Sequence, residues 1–243
     1  MKSFLCDLRR LPELIRWRNP LHLFLLATRE VFRPFVYWYA FDIFERDLRR
    51  PVPEPYSKET LQVRIYEGAT GLHKAVEDLS GLDGLRPAEV KMRLERGDVL
   101  AIAYAAREAV GCMWLTFLSG MELAFGTRWR LGPAEALRYG AFVQPAWRGR
   151  AVHSLVNDAI IQYARKRGMV CTLAGISALN SQSRNLPKHL RNSRVMRVFL
   201  FHVRGLNWTY RKAIGAPLES RFSISPGFGI RSARPQFNTG SRV

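Results

Sequence analysis

One stretch of this chain carries residue types at a spacing suited to holding a phosphate group. It reads Val143-Gln144-Pro145-Ala146-Trp147-Arg148-Gly149-Arg150-Ala151-Val152-His153 and runs straight into an apolar stripe of helical period. The first backbone N–H groups of a helix have no internal acceptor and carry partial positive charge, so a small-residue turn there suits a pyrophosphate. Arg148 and Arg150 flank Gly149 and add charge-assisted donors. A bare Arg-Gly-Arg is also what a solvated charge run looks like; placement after a strand and a proline favours phosphate. Metal and thiol chemistry have less support. Cys6, Cys112 and Cys171 are odd in number, widely spaced and form no CxxC pair. That argues against a structural zinc site or a disulfide framework, and a reducing cytoplasm is the expected setting.

The elements that must position this turn follow from periodicity. Leu155, Val156, Ala159, Ile160, Tyr163 and Ala164 form one stripe of a helix over 152–167, with Arg165, Lys166 and Arg167 at its C-terminal end and Gly168 as its stop. Strands are predicted before it over 136–143 and after it over 170–176. Upstream, Leu61, Val63 and Ile65 alternate as in a strand, and helices follow over 72–79 and 87–96. The apolar runs 99–106 and 110–118 make a hairpin around Arg107-Glu108. Downstream come a short helix within 180–193 and a strand pair, 195–203 and 208–212. The order is β-α-α-β-β-β-α-β-α-β-β.

The first fifty residues read as helices broken by prolines. Leu5, Leu8, Leu11, Leu14 and Ile15 recur at helical spacing, and a second helical run is expected from Leu21 to Asp47, kinked at Pro34. Its middle, FVYWYAFDIF, is too apolar for a free surface helix. Either it packs on the main domain, or it lies in a membrane interface with Tyr37, Trp38 and Tyr39 near headgroups and Arg46, Arg49 and Arg50 facing phosphates. The run PVPEPYS marks a linker. The expected organisation is a helical extension over 1–58, an α/β domain over 59–215, and a basic, flexible tail over 216–243.

The 243 residues are 47% hydrophobic and 12% aromatic, which supports a sizeable core. Net charge is +18, and the excess sits late: residues 184–243 hold 12 basic groups and 1 acid. Such a surface predicts an acidic partner. No stretch reaches the ~18 apolar residues of a membrane span, and the start, MKSFLCDLRR, is too charged for a secretory signal.

The turn and the strand order resemble the GCN5-related N-acetyltransferase superfamily, whose loop reads V-x-P-x-x-R-G-x-G-x-G. Val143, Pro145, Arg148 and Gly149 match; Ala151 and His153 stand where two glycines are usual. The segment 133–145 is also similar to a bacterial branch often associated with envelope polysaccharide clusters. The resemblance covers about residues 61–212. It implies a mixed, mainly antiparallel sheet flanked by helices. It also implies an acyl-CoA donor with no metal: the backbone from Arg148 to His153 on the pyrophosphate, and Phe142 and Val143 beside the pantetheine arm. Asn180-Ser181-Gln182-Ser183 fits the family's N-x-x-[SA] element near the thioester. The family tyrosine that protonates the departing thiolate is replaced by Pro187, leaving His189 and Ser183 as the nearby proton donors.

Acyl transfer to an amine needs a base and donors for the oxyanion. On an unbroken strand Glu135, Tyr139 and Val143 share one face, which makes Glu135 the first candidate base; neutralising Arg130 or Arg138 explains it equally. Tyr139 is a second candidate, with a core role as its alternative. The expectation is N-acyl transfer from an acyl-CoA to a small amine by direct attack on the thioester. An acidic acyl carrier protein is an alternative donor, as in an N-acyl amino acid synthase. The rival reading is a non-catalytic basic module on the same fold, although nucleic acid finds no zinc-finger spacing or aromatic RNA-reading motif here.

Overall fold

The structure is a computed structural model that describes residues 28, 31–32, 35–51, 61–68, 71–79, 82, 87–124, 127–178, 180, 192–203, 208–215 and 222–224. Eight strands form one sheet. They are β1 (Val36–Asp47), β2 (Leu61–Glu67), β3 (Val99–Ala105), β4 (Glu108–Thr116), β7 (Glu135–Val143), β8 (Cys171–Ser177), β9 (Ser193–Val203) and β10 (Trp208–Gly215). Their order across the sheet is β10-β9-β1-β8-β7-β4-β3-β2. Every neighbouring pair is antiparallel except β7 and β8. A second sheet of three short strands joins β5 (Met121–Ala124), β6 (Thr127–Trp129) and β11 (Phe222–Ile224) in the order β11-β6-β5.

Helices cover both faces, which is why β3 and β4 are apolar almost throughout rather than alternating. On one face α1 (Leu72–Leu79) and α2 (Pro87–Glu95) bury Ala75, Leu79, Val90 and Leu94 against Leu100, Ile102, Trp114, Leu137 and Leu173. On the other, α3 (Val152–Lys166) lays Val152, Val156, Ile160 and Ala164 on Ala101, Ala103, Met113, Leu115 and Ala136. Glu67 of β2 ties the far end of α3 down, accepting bonds from Tyr163 and from Arg167 (2.5 Å).

Two expectations are corrected. The helical run from Leu21 to Asp47 does not extend through its apolar middle: residues 36–47 are a strand, set between β8 and β9. Phe41 and Ile43 point to the α1–α2 face and are buried, and Asp42 on the opposite face is buried in a pair with Arg197. Valine, isoleucine and the ring residues that make this segment so apolar are strand formers, and burial on both sides removes the alternation that would have marked it. An interfacial helix here is excluded for the same reason, since Arg46 is 1% exposed and Arg49 is engaged by Asp47. The tail expected over 216–243 contributes the strand β11, which pairs with β6; its remainder lies outside the described residues. So do the helix over 5–15 and the short helix within 180–193, apart from Asn180 and the two residues beginning at Asn192. Sequence periodicity does not mark the hairpin of β5 and β6, because strands this short hold too few residues to show an alternation.

Candidate active site

The parallel pair β7–β8 is joined only at its start. Ladder partners run from Glu135↔Cys171 to Arg138↔Ala174, and then the strands part. Each is held on its outer edge: β7 stays paired with β4 as far as Val143, and β8 with β1 as far as Ser177. A wedge therefore opens in the middle of the sheet. Ala141, Phe142 and Val143 line one side, Gly175, Ile176 and Ser177 the other, and Asn180 follows at the end of β8, its N–H bonded to Ser177 O at 2.9 Å. Backbone N–H groups alternate between the two edges of a strand, so those of β7 directed away from β4 face this wedge.

A bulge accompanies the parting. Register slips between Cys112↔Phe142 and Trp114↔Tyr139, so Gly140 and Ala141 together stand opposite one residue of β4. Gly140 has φ +58°, and a Cβ there would lie 2.9 Å from Trp114 Cδ1 and 3.3 Å from Arg93 Nη1. The extra residue reverses the alternation. Before it, Leu137 and Tyr139 face α1 and α2; after it, Val143 packs with the α3 cluster while Phe142 faces the first side.

This corrects the shared face expected of Glu135, Tyr139 and Val143. Glu135 is 9% exposed at the closed end of the pair, where its Oε2 accepts the Gly132 N–H at 2.9 Å. Five residues separate it from Gly140, or ~16 Å of strand. Tyr139 donates its hydroxyl to Asp98, which also takes Arg96, and its ring stacks on Trp114. Burial, reinforced by the Asp98 charge, holds its phenol well above the ordinary value. Arg93 lies over both rings, 5.1 Å from each centroid, and is tied to Glu89. Tyr139 is thus a packed, hydrogen-bonded part of the core.

The segment 143–153 forms a turn at the mouth of the wedge, between β7 and α3. A 3₁₀ turn over Pro145–Trp147 follows Gln144, which is anchored by bonds to Val110 O (2.9 Å) and Ala109 O (2.8 Å). Arg148, Gly149 and Arg150 are exposed. Arg148 N–H is already spent on Pro145 O at 3.3 Å, and Arg150 stands over the Trp147 ring at 5.0 Å. Gly149 (φ +80°) and Ala151 (φ +60°) take left-handed backbone, and Ala151 precedes α3 with no side-chain cap. The first helical bond runs from Leu155 N–H to Ala151 O, so the N–H groups of Val152, His153 and Ser154 have no intrahelical acceptor and face the turn. His153 sits inside the first helical turn, where the backbone is helical and a side chain is accommodated. Burial, with a contribution from the Arg138 charge, pulls its imidazole down to about 4, so it is neutral.

Ser183 and His189 lie outside the described residues. Cys112 and Cys171 are buried, and burial pushes the Cys112 thiol up to about 12. Among the described residues no group of three His, Cys, Asp or Glu could hold a metal ion, and no helix is long and apolar enough to cross a membrane. The residues missed by sequence reasoning are polar ones drawn into the interior: buried Asp98 with half-buried Arg96 behind Tyr139, and buried Arg138 with Asn157 on the α3 face. Arginine inside an apolar strand was the available signal.

The fold has counterparts among solved structures. A GCN5-related N-acetyltransferase from Sphaerobacter thermophilus superposes with a TM-score of 0.50 at 14% identity, over 78% of this chain and 56% of that one. A functionally unknown protein from Staphylococcus epidermidis gives 0.46 at 8% identity (72% and 65% covered), and a tandem GNAT protein from the clavulanic acid pathway gives 0.48 at 19% (71% and 53%). The chain therefore spans less than two thirds of the length of these structures. No protein-family profile matches it, and neither does any curated protein. The chain has the fold of the GCN5-related N-acetyltransferases.

Proposed function

We propose that this chain is an acyl-CoA-dependent N-acyltransferase. The observation that carries the reading is the wedge between β7 and β8 with an uncapped helix N-terminus and Arg148-Gly149-Arg150 at its mouth. The donor's pyrophosphate would rest on the N–H groups from Gly149 to Ser154, and its pantetheine arm would pair along Phe142 and Val143 as an added strand. The amine nitrogen attacks the thioester carbonyl carbon, the C–S bond breaks, and the thiolate takes up the proton that the nitrogen loses. Backbone N–H groups of β7 past the bulge stabilise the oxyanion. With Glu135 and Tyr139 both tied into the core, positioning of an amine that arrives neutral carries the rate.

Isothermal titration with CoA, acetyl-CoA and a long-chain acyl-CoA tests this. Micromolar binding of CoA is expected, and absence of binding by all three would overturn the reading in favour of a basic binding module. A carrier-protein donor is favoured by one observation, the 12 basic residues against 1 acid over 184–243. Titration with an acyl-loaded carrier protein separates the two donors.

A further inference from the structure

A polar cluster lies on the α3 side of the sheet at the inner end of the wedge. Arg138 is the last residue of β7 paired with β8, opposite Ala174, and it is 4% exposed. Its Nη1 donates to Asn157 Oδ1 and its Nη2 to Asn192 Oδ1 at 3.3 Å, both neutral amides. Its Nε is buried without an acceptor, and among the described residues no carboxylate bonds this guanidinium, which feels the charge of Asp158 only at a distance. Asp158, the acid on the facing helix, is bonded instead by Asn157, and burial makes it a reluctant anion. Arg46, also buried, lies in the Ala136–Thr172–Arg46 row on the same face. Burial first, and then the Arg46 charge, pulls Arg138 down to about 10. Thr172 Oγ1, on the same face of the sheet in the row of Ala136, and His153 Nδ1, four residues before Asn157 on α3, are buried with no partner. A cation out of water, bonded only by amides and next to a second cation, is costly unless an anion reaches it.

We infer that Arg138, with Thr172 on the same face of the sheet, receives a carboxylate at the far end of the transferred acyl group, so that the preferred donor is the CoA thioester of a short dicarboxylic acid. This rests on the acyl-CoA reading above. With the pyrophosphate on the 149–154 turn and the arm along Val143 and Phe142, the thioester points toward the apex of the wedge. From Val143 to Arg138 is ~16 Å of strand, and beyond Arg138 the ladder with β8 is closed. The far end of a short acyl group therefore arrives at Arg138, and a long chain has no continuing path between the strands. A carboxylate there supplies charge-assisted acceptors for a guanidinium that lacks them; a methyl group would cover it and give nothing back.

The test is a titration of the full chain with CoA, butyryl-CoA and succinyl-CoA, the last two equal in length and different only at the end group. Succinyl-CoA is expected to bind at least ~10-fold tighter than butyryl-CoA, the scale of a hydrogen bond to a charged group. Equal affinity of the two acyl thioesters, with CoA still bound, would overturn this inference and leave the acyl-CoA reading intact. Binding of none would overturn both. In Arg138→Gln, folded as judged by circular dichroism, the preference should vanish while CoA affinity persists; a preference that survives there would assign the carboxylate to another group. If that variant does not fold, the wild-type comparison decides alone.

Discussion

Tyr139 and Val143 stand four positions apart on β7 and face opposite sides of the sheet, because Gly140 inserts one residue between them. An unbroken strand would have put both on one face. The bulge thus decides which side chains the wedge can offer, and it depends on a residue without a Cβ.

Gly140→Ala should therefore be destabilising. The new methyl would meet Trp114 at 2.9 Å in a backbone with φ +58°. Strain and clash together predict a loss of about 1–3 kcal/mol, read from urea denaturation midpoints. CoA affinity should fall in the same variant, since register along Phe142 and Val143 shifts.

At the turn, Gly149 has φ +80° with open space around its missing side chain. Gly149→Asn tolerates this backbone and adds no charge. Gly149→Asp puts a carboxylate in front of the pyrophosphate. Titration should show CoA weakened by ~10-fold or more in the aspartate variant, only modestly in the asparagine one, and by an intermediate factor in Arg148→Ala.

Acid sensitivity has a specific source. His153 has an ordinary value of 6.5 and is pulled down to about 4 by burial and by Arg138. Between those values the unfolded chain takes up a proton that the folded chain refuses. Stability from this group is complete above pH 6.5 and is lost as the pH falls through 4, by an amount on the order of 3 kcal/mol. Melting temperatures at pH 7, 5.5 and 4.5 should fall less steeply in His153→Asn than in the parent.

Removal of residues 1–50 takes out β1, and with it the ladder that joins β8 to β9. Phe41 at 3% exposure and Ile43 at 0% leave the core, and the buried Asp42–Arg197 pair is broken. The truncated chain should show no cooperative thermal transition by circular dichroism.

Much of the fold could be read from the residues. Alternation at Leu61–Ile65, the Arg107 turn and the stripe on α3 each reflect a local rule, and local rules survive in a single sequence. β1 did not yield, because burial on both faces erases the period that separates strand from helix. The site divided in the same way. The turn at Arg148–His153 is a contiguous segment and was legible; the wedge is a relation between ladders, and it depends on where Arg138↔Ala174 pairing stops. Gly140 inside an apolar strand was the one written sign of the bulge. Glu135 is a scarce acid in its stretch of sequence, and its oxygen fastens the loop at Gly132.

The position of β1 bears on how the protein is made. Its partners are the residues from Cys171 to Val203, far along the chain. While the intervening residues are being synthesised, a segment rich in tyrosine, phenylalanine and tryptophan has neither edge paired. The sheet cannot close until β8 and β9 have both emerged, so folding is governed by long-range closure and should be slow. Over that interval the strand is an open template for another copy of itself, and recovery of native protein should improve at low concentration or with a chaperone present.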